Sequence, residues 1–361
     1  HAFPEIIRCI EQAKVSVEIN MFIWRDDRIG NRMAQAVLDA ANRGVKVSLS
    51  IDRYGVVLEK SEECKRSFFH KTQSLNEKAK ISILKLMYPQ NSRRGYIKDK
   101  HTEIYTRVTE HPNIVVSADE FKADHSKYYI IDDEILFLGG INIEDKENGC
   151  DINGNIYGDY MVKLCGREYV EAFRYKMNTG KNILDGLSFG INVKKPTRIF
   201  EMEQLYLDLI SNAKTELHIT MAYFSPLKEF VDAIVAAHER GVHISVLIPG
   251  KANFQNDCNR LTVRKLLKAT NGQIEVYLSP KMLHTKLVAN DTYISLGSTN
   301  ITKKAFAQLN ELNLFVRKTG SELEQTLAAS ISDDIKGAQR VRRYQDIPYN
   351  RLIAFLERFF V

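Results

Sequence analysis

The chain has 361 residues, which exceeds the usual length of a single domain and predicts either one large domain or two similar ones. Hydrophobic residues make up 44% and charged residues 27%, so the composition excludes a disordered or low-complexity chain. The net charge of +6 suits an anionic partner, phospholipid or nucleic acid, without choosing between them.

The sequence gives limited information about the cellular compartment. No stretch approaches the roughly 18 apolar residues that span a bilayer, and no signal peptide is visible. The cysteines lack close pairing and metal-ligand spacing, which predicts reduced thiols in a cytosolic setting. They are Cys9, Cys64, Cys150, Cys165 and Cys258. Because the chain opens on His1 and not on Met, we expect a fragment, and an upstream membrane anchor stays open.

The first predicted elements of the chain recur in its second half. Residues 13–24 (AKVSVEINMFIW) resemble residues 213–224 (AKTELHITMAYF), and both predict a strand. Residues 36–52 (AVLDAANRGVKVSLSID) resemble residues 233–249 (AIVAAHERGVHISVLIP). In each of these segments, helix-spaced alanines lead through an Arg-Gly-Val turn into an apolar strand.

A basic segment follows in the first half. Between Lys60 and Arg107, twelve Lys or Arg residues stand against five Asp or Glu. Aromatic residues are interleaved with these charges, namely Phe68, Phe69, Tyr88 and Tyr96. Two interpretations carry equal weight, a solvated and partly disordered connection or a surface that faces phosphate or a membrane.

A third block is also repeated. Residues 125–142 (HSKYYIIDDEILFLGGIN) resemble residues 284–300 (HTKLVANDTYISLGSTN), in the same order as the earlier blocks. The chain therefore predicts an α/β fold of two tandem lobes with mixed sheets flanked by helices, residues 1–193 and 194–361. Its predicted seam contains Lys194, Lys195 and Pro196. We expect a pseudo-twofold arrangement in which the matched motifs form one site.

The third block carries residues suited to chemistry on a phosphate. His125 and Lys127, and likewise His284 and Lys286, lie two residues apart in a predicted strand, so both side chains of a pair leave the same face. One histidine in such a pattern is more often a surface or core residue. Two copies inside a larger duplication make coincidence a poor explanation.

Further polar residues follow each histidine-lysine pair at matched positions. Asp132 and Asp291 lie in polar clusters typical of a turn, and fixing the hairpin is their expected role. On the returning strand, Asn142 and Asn300 are predicted to donate amide hydrogens to phosphate oxygens, and Ser298 is a third candidate phosphate ligand.

Phosphodiester exchange needs a nucleophile, an acid that protonates the leaving oxygen, and positive charge around the phosphoryl oxygens. Two His-Lys pairs supply all three. The sequence contains no HExxH motif, clustered carboxylates or Cys/His ligand set, so neither a metal nor a cofactor is expected.

These residues resemble the paired HxK(x)4D(x)6G[GS]xN signatures of the phospholipase D superfamily, with one residue fewer before the second glycine step. The resemblance covers nearly the whole chain. Within the superfamily, residues 21–55 (MFIWRDDRIGNRMAQAVLDAANRGVKVSLSIDRYG) and residues 222–226 (AYFSP) look most like bacterial-type cardiolipin synthases.

The resemblance implies roles for individual residues. His125 is the expected covalent nucleophile and His284 the expected acid and base, although the reverse assignment stays open. An acidic residue beyond each signature is implied to orient its histidine, which falls on Asp159 for the first and Glu311 for the second. Each of these two also has an ordinary alternative as a charge at a strand edge.

The resemblance further implies transfer of a phosphatidyl group from one phosphatidylglycerol, or a related phospholipid, to the glycerol hydroxyl of another. Water must then be kept from the phosphohistidine. Apolar residues after the first strand of each half are candidates for the mouth of the site, although core packing is the more frequent role of such residues. They are Phe22, Ile23, Trp24, Tyr223 and Phe224.

The C-terminal run, residues 349–361 (YNRLIAFLERFFV), has helix-like apolar spacing after Arg340, Arg342 and Arg343. Such a helix either lies on a membrane surface or docks on the core. We expect the chain to act at an anionic phospholipid surface on the cytoplasmic side of a membrane, peripherally or through a segment beyond this sequence, with a monomeric active site built from two lobes.

Two other activities fit the same signatures. A phospholipase D would pass the phosphatidyl group to water, and sequence cannot separate it from a transferase. A nuclease or phosphodiesterase would use the basic segment for nucleic acid, but such enzymes are often single-motif chains that dimerise, so the duplication counts modestly against this alternative.

Overall fold

The computed structural model describes residues 2–62, 67–89, 103–149, 156–195 and 198–360, with only the backbone for the last two of these. The chain divides into two compact units. The first comprises residues 1–157 and 161–174, and the second comprises residues 158–160 and 175–361. Each unit has its own mixed β-sheet and its own apolar core, which confirms the predicted α/β class with a repeated lobe.

The first unit is built from elements whose order follows the predicted repeat. Its helices are α1 (Ala2–Gln12), α2 (Arg28–Asn42), α3 (Gly55–Ser61), α4 (Leu75–Met87), α5 (Glu103–Thr109) and the beginning of α6 (Arg167–Thr179). Its strands are β1 (Ser16–Met21), β2 (Lys46–Ile51), β3 (Ile114–Ser117), β4 (Tyr128–Ile131), β5 (Ile135–Gly139) and β7 (Met161–Cys165), and β6 is the short strand Tyr157–Gly158.

The second unit contains more elements. Its helices are α7 (Met202–Ser211), α8 (Lys228–Glu239), α9 (Asn256–Ala269), α10 (Lys303–Ala307), α11 (Glu322–Lys336) and α12 (Arg351–Phe360). Its strands are β8 (Leu187–Val193), β9 (Ile199–Phe200), β10 (Glu216–Met221), β11 (Phe224–Ser225), β12 (His243–Pro249), β13 (Glu275–Ser279), β14 (Met282–Leu283), β15 (Lys286–Asn290), β16 (Tyr293–Gly297), β17 (Ile301–Thr302), β18 (Glu311–Arg317) and β19 (Gln339–Val341).

The two sheets share one strand order. In the first unit the order is β3-β2-β1-β4-β5-β7, and the corresponding strands of the second unit run β13-β12-β10-β15-β16-β18. In both, the first three strands are parallel and the others antiparallel. The second sheet is extended by β19 at one edge and by β8 and β9 at the other. The duplication is therefore one of topology as well as sequence.

The Arg-Gly-Val turns end their helices in the same way in both units. Gly44 and Gly241 have φ values of +95° and +88°, a left-handed conformation that glycine adopts without steric cost. The following amides, of Val45 and Val242, each donate to a carbonyl five residues earlier at 3.1 Å, which is the hydrogen bond of a Schellman motif. This turn directs the chain from helix into strand.

The lobe boundary differs from the predicted one at 193/194. Strand β8 pairs antiparallel with β18, from Asn192 opposite Glu311 to Leu187 opposite Val316, so residues 187–193 belong to the second sheet. The sequence repeat does not cover β8, and nothing in its pattern reveals which sheet it joins. Of the predicted seam, Lys194 and Lys195 are described, whereas Pro196 lies outside the described residues.

The basic segment is partly helical. It contributes α3, α4 and part of α5, while residues 63–66 and 90–102, including Cys64 and Tyr96, lie outside the described ranges, as does Cys150. Phe68 and Phe69 are buried and pack on the Trp24 ring at centroid distances of 5.7 and 5.4 Å. These aromatic residues stabilise the core of the first unit instead of forming a surface.

Beside this core lies a buried ionic network that the sequence did not reveal. The Arg25 guanidinium forms ion pairs with Glu62 at 3.0 Å and Glu144 at 2.9 Å, and Lys146 pairs with both carboxylates. Partners on every side make burial of these charges tolerable. Among the described residues, no helix has the length and apolar character needed to cross a bilayer.

The two motif aspartates fix the hairpin turn to the start of the first strand of each unit. The Asp132 carboxylate accepts the backbone amides of Lys14, Val15 and Ser16 at 2.7–3.2 Å. Asp291 accepts the equivalent amides of Lys214, Thr215 and Glu216, together with the Thr215 hydroxyl. Their predicted structural role therefore has a defined geometry, which joins the hairpin to the neighbouring strand.

Replacing Asp291 with alanine is expected to lower the free energy of unfolding by about 1–2 kcal/mol at neutral pH, because several amides lose their acceptor. Burial raises the pKa of Asp291, but the hydrogen bonds from Thr215 and Lys214 outweigh it and lower that pKa to about 2. Since the folded-state pKa is below the unfolded value, the contribution is complete above about pH 5 and is lost as the pH falls toward 2.

Urea unfolding of Asp291→Ala and of the unmodified chain, compared across this pH range, measures the effect. The difference in stability should shrink on acidification, and Asp291→Asn should show the same trend. A difference that stays constant or grows at low pH would contradict the proposed role of the ionised carboxylate.

Candidate active site

The first signature lies at the entrance to β4. His125, Ser126 and Lys127 precede the strand and are all buried, so the predicted strand begins slightly later than the sequence suggested. The Lys127 Nζ donates to the backbone carbonyl of His125, which holds the ammonium group beside its histidine. The two cationic residues therefore lie on the same side of the chain, as the spacing predicted.

An aromatic ring contacts both members of this pair. The Phe22 ring meets the His125 imidazole edge to face, with centroids 4.9 Å apart, and the Lys127 Nζ lies 5.2 Å from the centre of the same ring. Phe22 follows directly after β1. Such a contact fixes the imidazole orientation and excludes water from one side of the ring.

A buried polar network supports the backbone around His125. The Asn20 amide donates to the Asp124 carboxylate at 3.2 Å and to the Ser126 carbonyl at 3.0 Å. The Asp52 carboxylate accepts the amides of Tyr54, Lys122 and Asp124. Burial raises the pKa of Asp124 and of Asp52. Sequence reasoning missed this network, whose members lie on separate segments around β1, β2 and β4.

The second signature repeats this arrangement at β15. His284, Thr285 and Lys286 are buried, and the Lys286 Nζ donates to the His284 carbonyl. The aromatic neighbour here is Tyr223, whose ring lies 6.1 Å from the imidazole in an edge-to-face contact. The Tyr223 hydroxyl in turn donates to Asn253 at 2.8 Å.

Of the five residues predicted for the mouth or the core, Phe22 and Tyr223 contact the signature histidines. The other three, Ile23, Trp24 and Phe224, are buried. The second interpretation, core packing, therefore describes Trp24 and Phe224, which belong to the apolar cores of their units.

A carboxylate lies against the second histidine. The Asp159 Oδ2 is 3.0 Å from the His284 Nδ1 and 3.4 Å from the Lys286 Nζ, and its side chain is 2% exposed. The backbone reinforces this position, because the His284 amide donates to the Gly158 carbonyl at 2.7 Å. A carboxylate at Nδ1 selects the tautomer and orientation of an imidazole and stabilises its protonated form.

This contact corrects the assignment of Asp159 to its own signature. The sequence assigned Asp159 to His125, which precedes it in the first repeat, whereas the observed contact is with His284 of the second. Residues 158–160 are part of the second unit, although β6 and β7 on either side of them extend into the first. Order along the chain did not reveal that exchange.

Glu311 begins β18 and is buried. The Ser298 hydroxyl donates to the Glu311 carboxylate and accepts the Leu312 amide at 3.0 Å. Since a hydroxyl has one hydrogen, Ser298 spends its donor on Glu311 in this structure. Its geometry therefore fits a residue that positions Glu311 better than the predicted phosphate ligand.

The two asparagines are both buried. The Asn300 amide oxygen accepts the Tyr223 backbone amide at 3.2 Å, an arrangement that reserves the NH₂ group as a donor. The Asn142 amide oxygen has no hydrogen-bond partner among the described residues. Their predicted contact with a substrate phosphate stays a prediction, as does the expectation that no metal or cofactor is needed.

Replacing Asp159 with asparagine is expected to lower kcat by on the order of 10²–10³-fold, because His284 loses the charge that orients and stabilises its imidazolium. The alkaline limb of the pH–rate profile should also move to lower pH. A matched control is Asp334→Asn, which removes a carboxylate bonded to the adjacent Tyr160 hydroxyl at 2.7 Å. A reduced stability with an unchanged pH profile would assign Asp159 a structural role only.

Comparison with known proteins places this geometry in a family context. The family described as cardiolipin synthase, PLD-like domain, matches residues 6–157 and 206–335. A cardiolipin synthase of Clostridium perfringens (strain SM101 / Type A) is 25% identical over 341 residues, which cover 87% of this chain and 64% of the relative. The chain thus spans 64% of the length of that relative.

Other relatives are similar over more of their length. Cardiolipin synthase B of Salmonella typhi is 24% identical over 93% of this chain and 77% of the relative. Among solved structures, the phosphatidylserine synthase of Haemophilus influenzae Rd KW20 has a TM-score of 0.71 at 14% identity, covering 98% of this chain and 89% of its own. At that identity the likeness supports the fold alone.

Proposed function

We propose a function from the premise that this chain belongs to the cardiolipin synthase, PLD-like domain family: it transfers a phosphatidyl group between phospholipids through a phosphohistidine. The observation that carries the proposal is the buried Asp159–His284 contact at 3.0 Å, with Lys286 beside it. A histidine held by a carboxylate is equipped to give and take a proton, which is what a leaving and an entering alcohol require.

In the proposed first step, an imidazole nitrogen of His125 attacks the phosphorus of phosphatidylglycerol. A P–N bond forms while the P–O bond to the glycerol headgroup breaks, and protonated His284 gives its proton to the departing oxygen. Lys127, Lys286 and the amides of Asn142 and Asn300 neutralise charge on the phosphoryl oxygens. The released glycerol leaves His284 neutral and ready to act as a base.

In the second step, His284 accepts the proton of a headgroup hydroxyl on another phosphatidylglycerol. That oxygen attacks phosphorus, the P–N bond breaks, and cardiolipin forms as His125 is released. Phe22 and Tyr223, which contact the two imidazoles, limit the access of water to the histidines. Ser298 would act by positioning Glu311, for which we propose a supporting role toward the first histidine.

The proposed substrate is phosphatidylglycerol or a related anionic phospholipid at the cytoplasmic side of a membrane, with both signatures supplied by one chain. The test is mass spectrometry of the lipids formed when the purified chain is incubated with phosphatidylglycerol vesicles and EDTA. Cardiolipin and glycerol are the expected products. Phosphatidic acid without cardiolipin would replace the transferase by a phospholipase, and turnover lost specifically with EDTA would overturn metal independence.

A further inference from the structure

The C-terminal helix α12 presents its large apolar residues outward. Leu352 and Phe355 are 65% and 58% exposed, whereas the side that faces the protein carries the buried Ala354 and Glu357. A helix held only by hydrophobic docking would show the opposite arrangement. The sequence alternatives of membrane contact and core docking thus describe two different faces of one helix.

Specific bonds explain how α12 is held without burying its large side chains. The Glu357 carboxylate accepts the Cys258 amide at 2.7 Å, in the first turn of α9, and the Cys258 thiol donates to the Ala354 carbonyl at 3.1 Å. The Asn350 amide donates to Asp257 at 2.7 Å. A carboxylate at a helix N-terminus is stabilised by the exposed amides and the helix dipole. The outward face of α12 is therefore fixed in orientation.

A cationic basin opens beside this helix. The cavity has a volume of about 570 Å³, and its lining includes five cationic side chains, from Lys228, Lys265, Lys303, Lys304 and Arg358. Its two carboxylates are already engaged, since Asp232 pairs with Lys228 at 2.5 Å and Glu357 binds the Cys258 amide. Burial, and then the neighbouring Arg358, lower the pKa of Lys265. The basin therefore has an excess of positive charge.

The exposed face of α12 combines this charge with apolar surface. Arg351, Phe355 and Arg358 follow one another at helical spacing, with Leu352 adjacent, so apolar side chains are flanked by cations. Helices of this composition lie at the boundary between lipid headgroups and acyl chains. A second copy of the chain suits the face less well, because symmetric pairing would bring the cations of the two basins together.

From these observations we propose that α12 and the cationic basin form a docking surface for an anionic phospholipid bilayer, with Leu352 and Phe355 entering the acyl region and the basin holding headgroup phosphates. The proposal extends the proposed function by naming the surface through which the chain meets its substrate phase, and it rests on that function only for the choice of phospholipid as partner.

Vesicle flotation tests the surface without requiring turnover. The unmodified chain should float with vesicles of phosphatidylcholine and phosphatidylglycerol and much less with phosphatidylcholine alone. Leu352→Ser/Phe355→Ser should reduce partitioning about tenfold or more. Lys265→Gln/Arg358→Gln should weaken binding to the anionic vesicles and reduce its salt dependence. All four positions are on the surface, so the fold should survive.

A matched control is Val115→Ser/Phe121→Ser, which removes an aliphatic and an aromatic residue of similar exposure, 68% and 55%, from the first unit. This variant should float like the unmodified chain. Equal binding by all variants, equal binding to neutral vesicles, or an equal loss in the control would each overturn the proposal. A change from dimer to monomer in Leu352→Ser/Phe355→Ser, without loss of flotation, would assign the face to self-association instead.

The outcome is separable from that of the transfer reaction. Loss of flotation is scored on the protein alone, whereas product formation is scored on lipids. Intact flotation without cardiolipin would overturn the reaction and leave the surface standing, and cardiolipin formation with unaltered flotation of the variants would do the reverse.

Discussion

Replacing His125 with alanine is expected to lower turnover of phosphatidylglycerol by on the order of 10⁴-fold or more, because the group that forms the covalent bond to phosphorus is lost. The fold should persist. His125 contributes little packing apart from its contact with Phe22, and the surrounding bonds of Asn20, Asp124 and Ser126 do not involve its imidazole. Product formation and thermal unfolding, measured on the same preparation, separate the two effects.

A control for this variant is His111→Ala, an exposed histidine of the same unit whose side chain bonds to Asn42 at 3.2 Å. It should retain full turnover. If His125→Ala kept more than a small fraction of the activity while His111→Ala behaved normally, His125 would lose the nucleophile role.

Replacing His284 with alanine should be nearly as damaging on phosphatidylglycerol, on the order of 10³-fold or more, but for a different reason. The leaving glycerol oxygen is a poor leaving group unless it is protonated. A phosphodiester with a p-nitrophenyl leaving group needs no such proton, so this variant should release p-nitrophenol in a stoichiometric burst and then stall, because the acceptor alcohol lacks its base.

His125→Ala should release no burst from the same compound. This contrast assigns the two roles, which the sequence left open. A burst from His125→Ala and none from His284→Ala would reverse the assignment, with His284 as the nucleophile.

Much of the fold could be predicted from local pattern. The Arg-Gly-Val turns announced two equivalent helix ends because a glycine after a helix fixes a left-handed residue, and the structure has this geometry at Gly44 and Gly241. The matched blocks likewise fixed the order of strands in each lobe. The spacing of Lys127 and Lys286 from their histidines was also sufficient to predict that each pair shares a side.

The rest depends on contacts between segments that no local pattern encodes. Asp159 sits beside His284 because residues 158–160 belong to the second unit, and a charge near a signature gives no sign of which histidine it serves. Phe22 and Tyr223 occupy adjacent, not equivalent, positions of the repeat, yet each contacts a histidine. The outward direction of Leu352 and Phe355 required knowing that Glu357 faces α9.

The most direct test of phosphatidyl transfer through a histidine is to trap the intermediate. His284→Ala, incubated with phosphatidylglycerol or the p-nitrophenyl phosphodiester and quenched in alkali, where phosphohistidine survives, would be digested and its peptides mapped by mass spectrometry. The account predicts a phosphoryl adduct on the peptide that contains His125 and on no other. Cardiolipin formation by the unmodified chain with no histidine adduct in any trapped sample, or an adduct on a different residue, would contradict it.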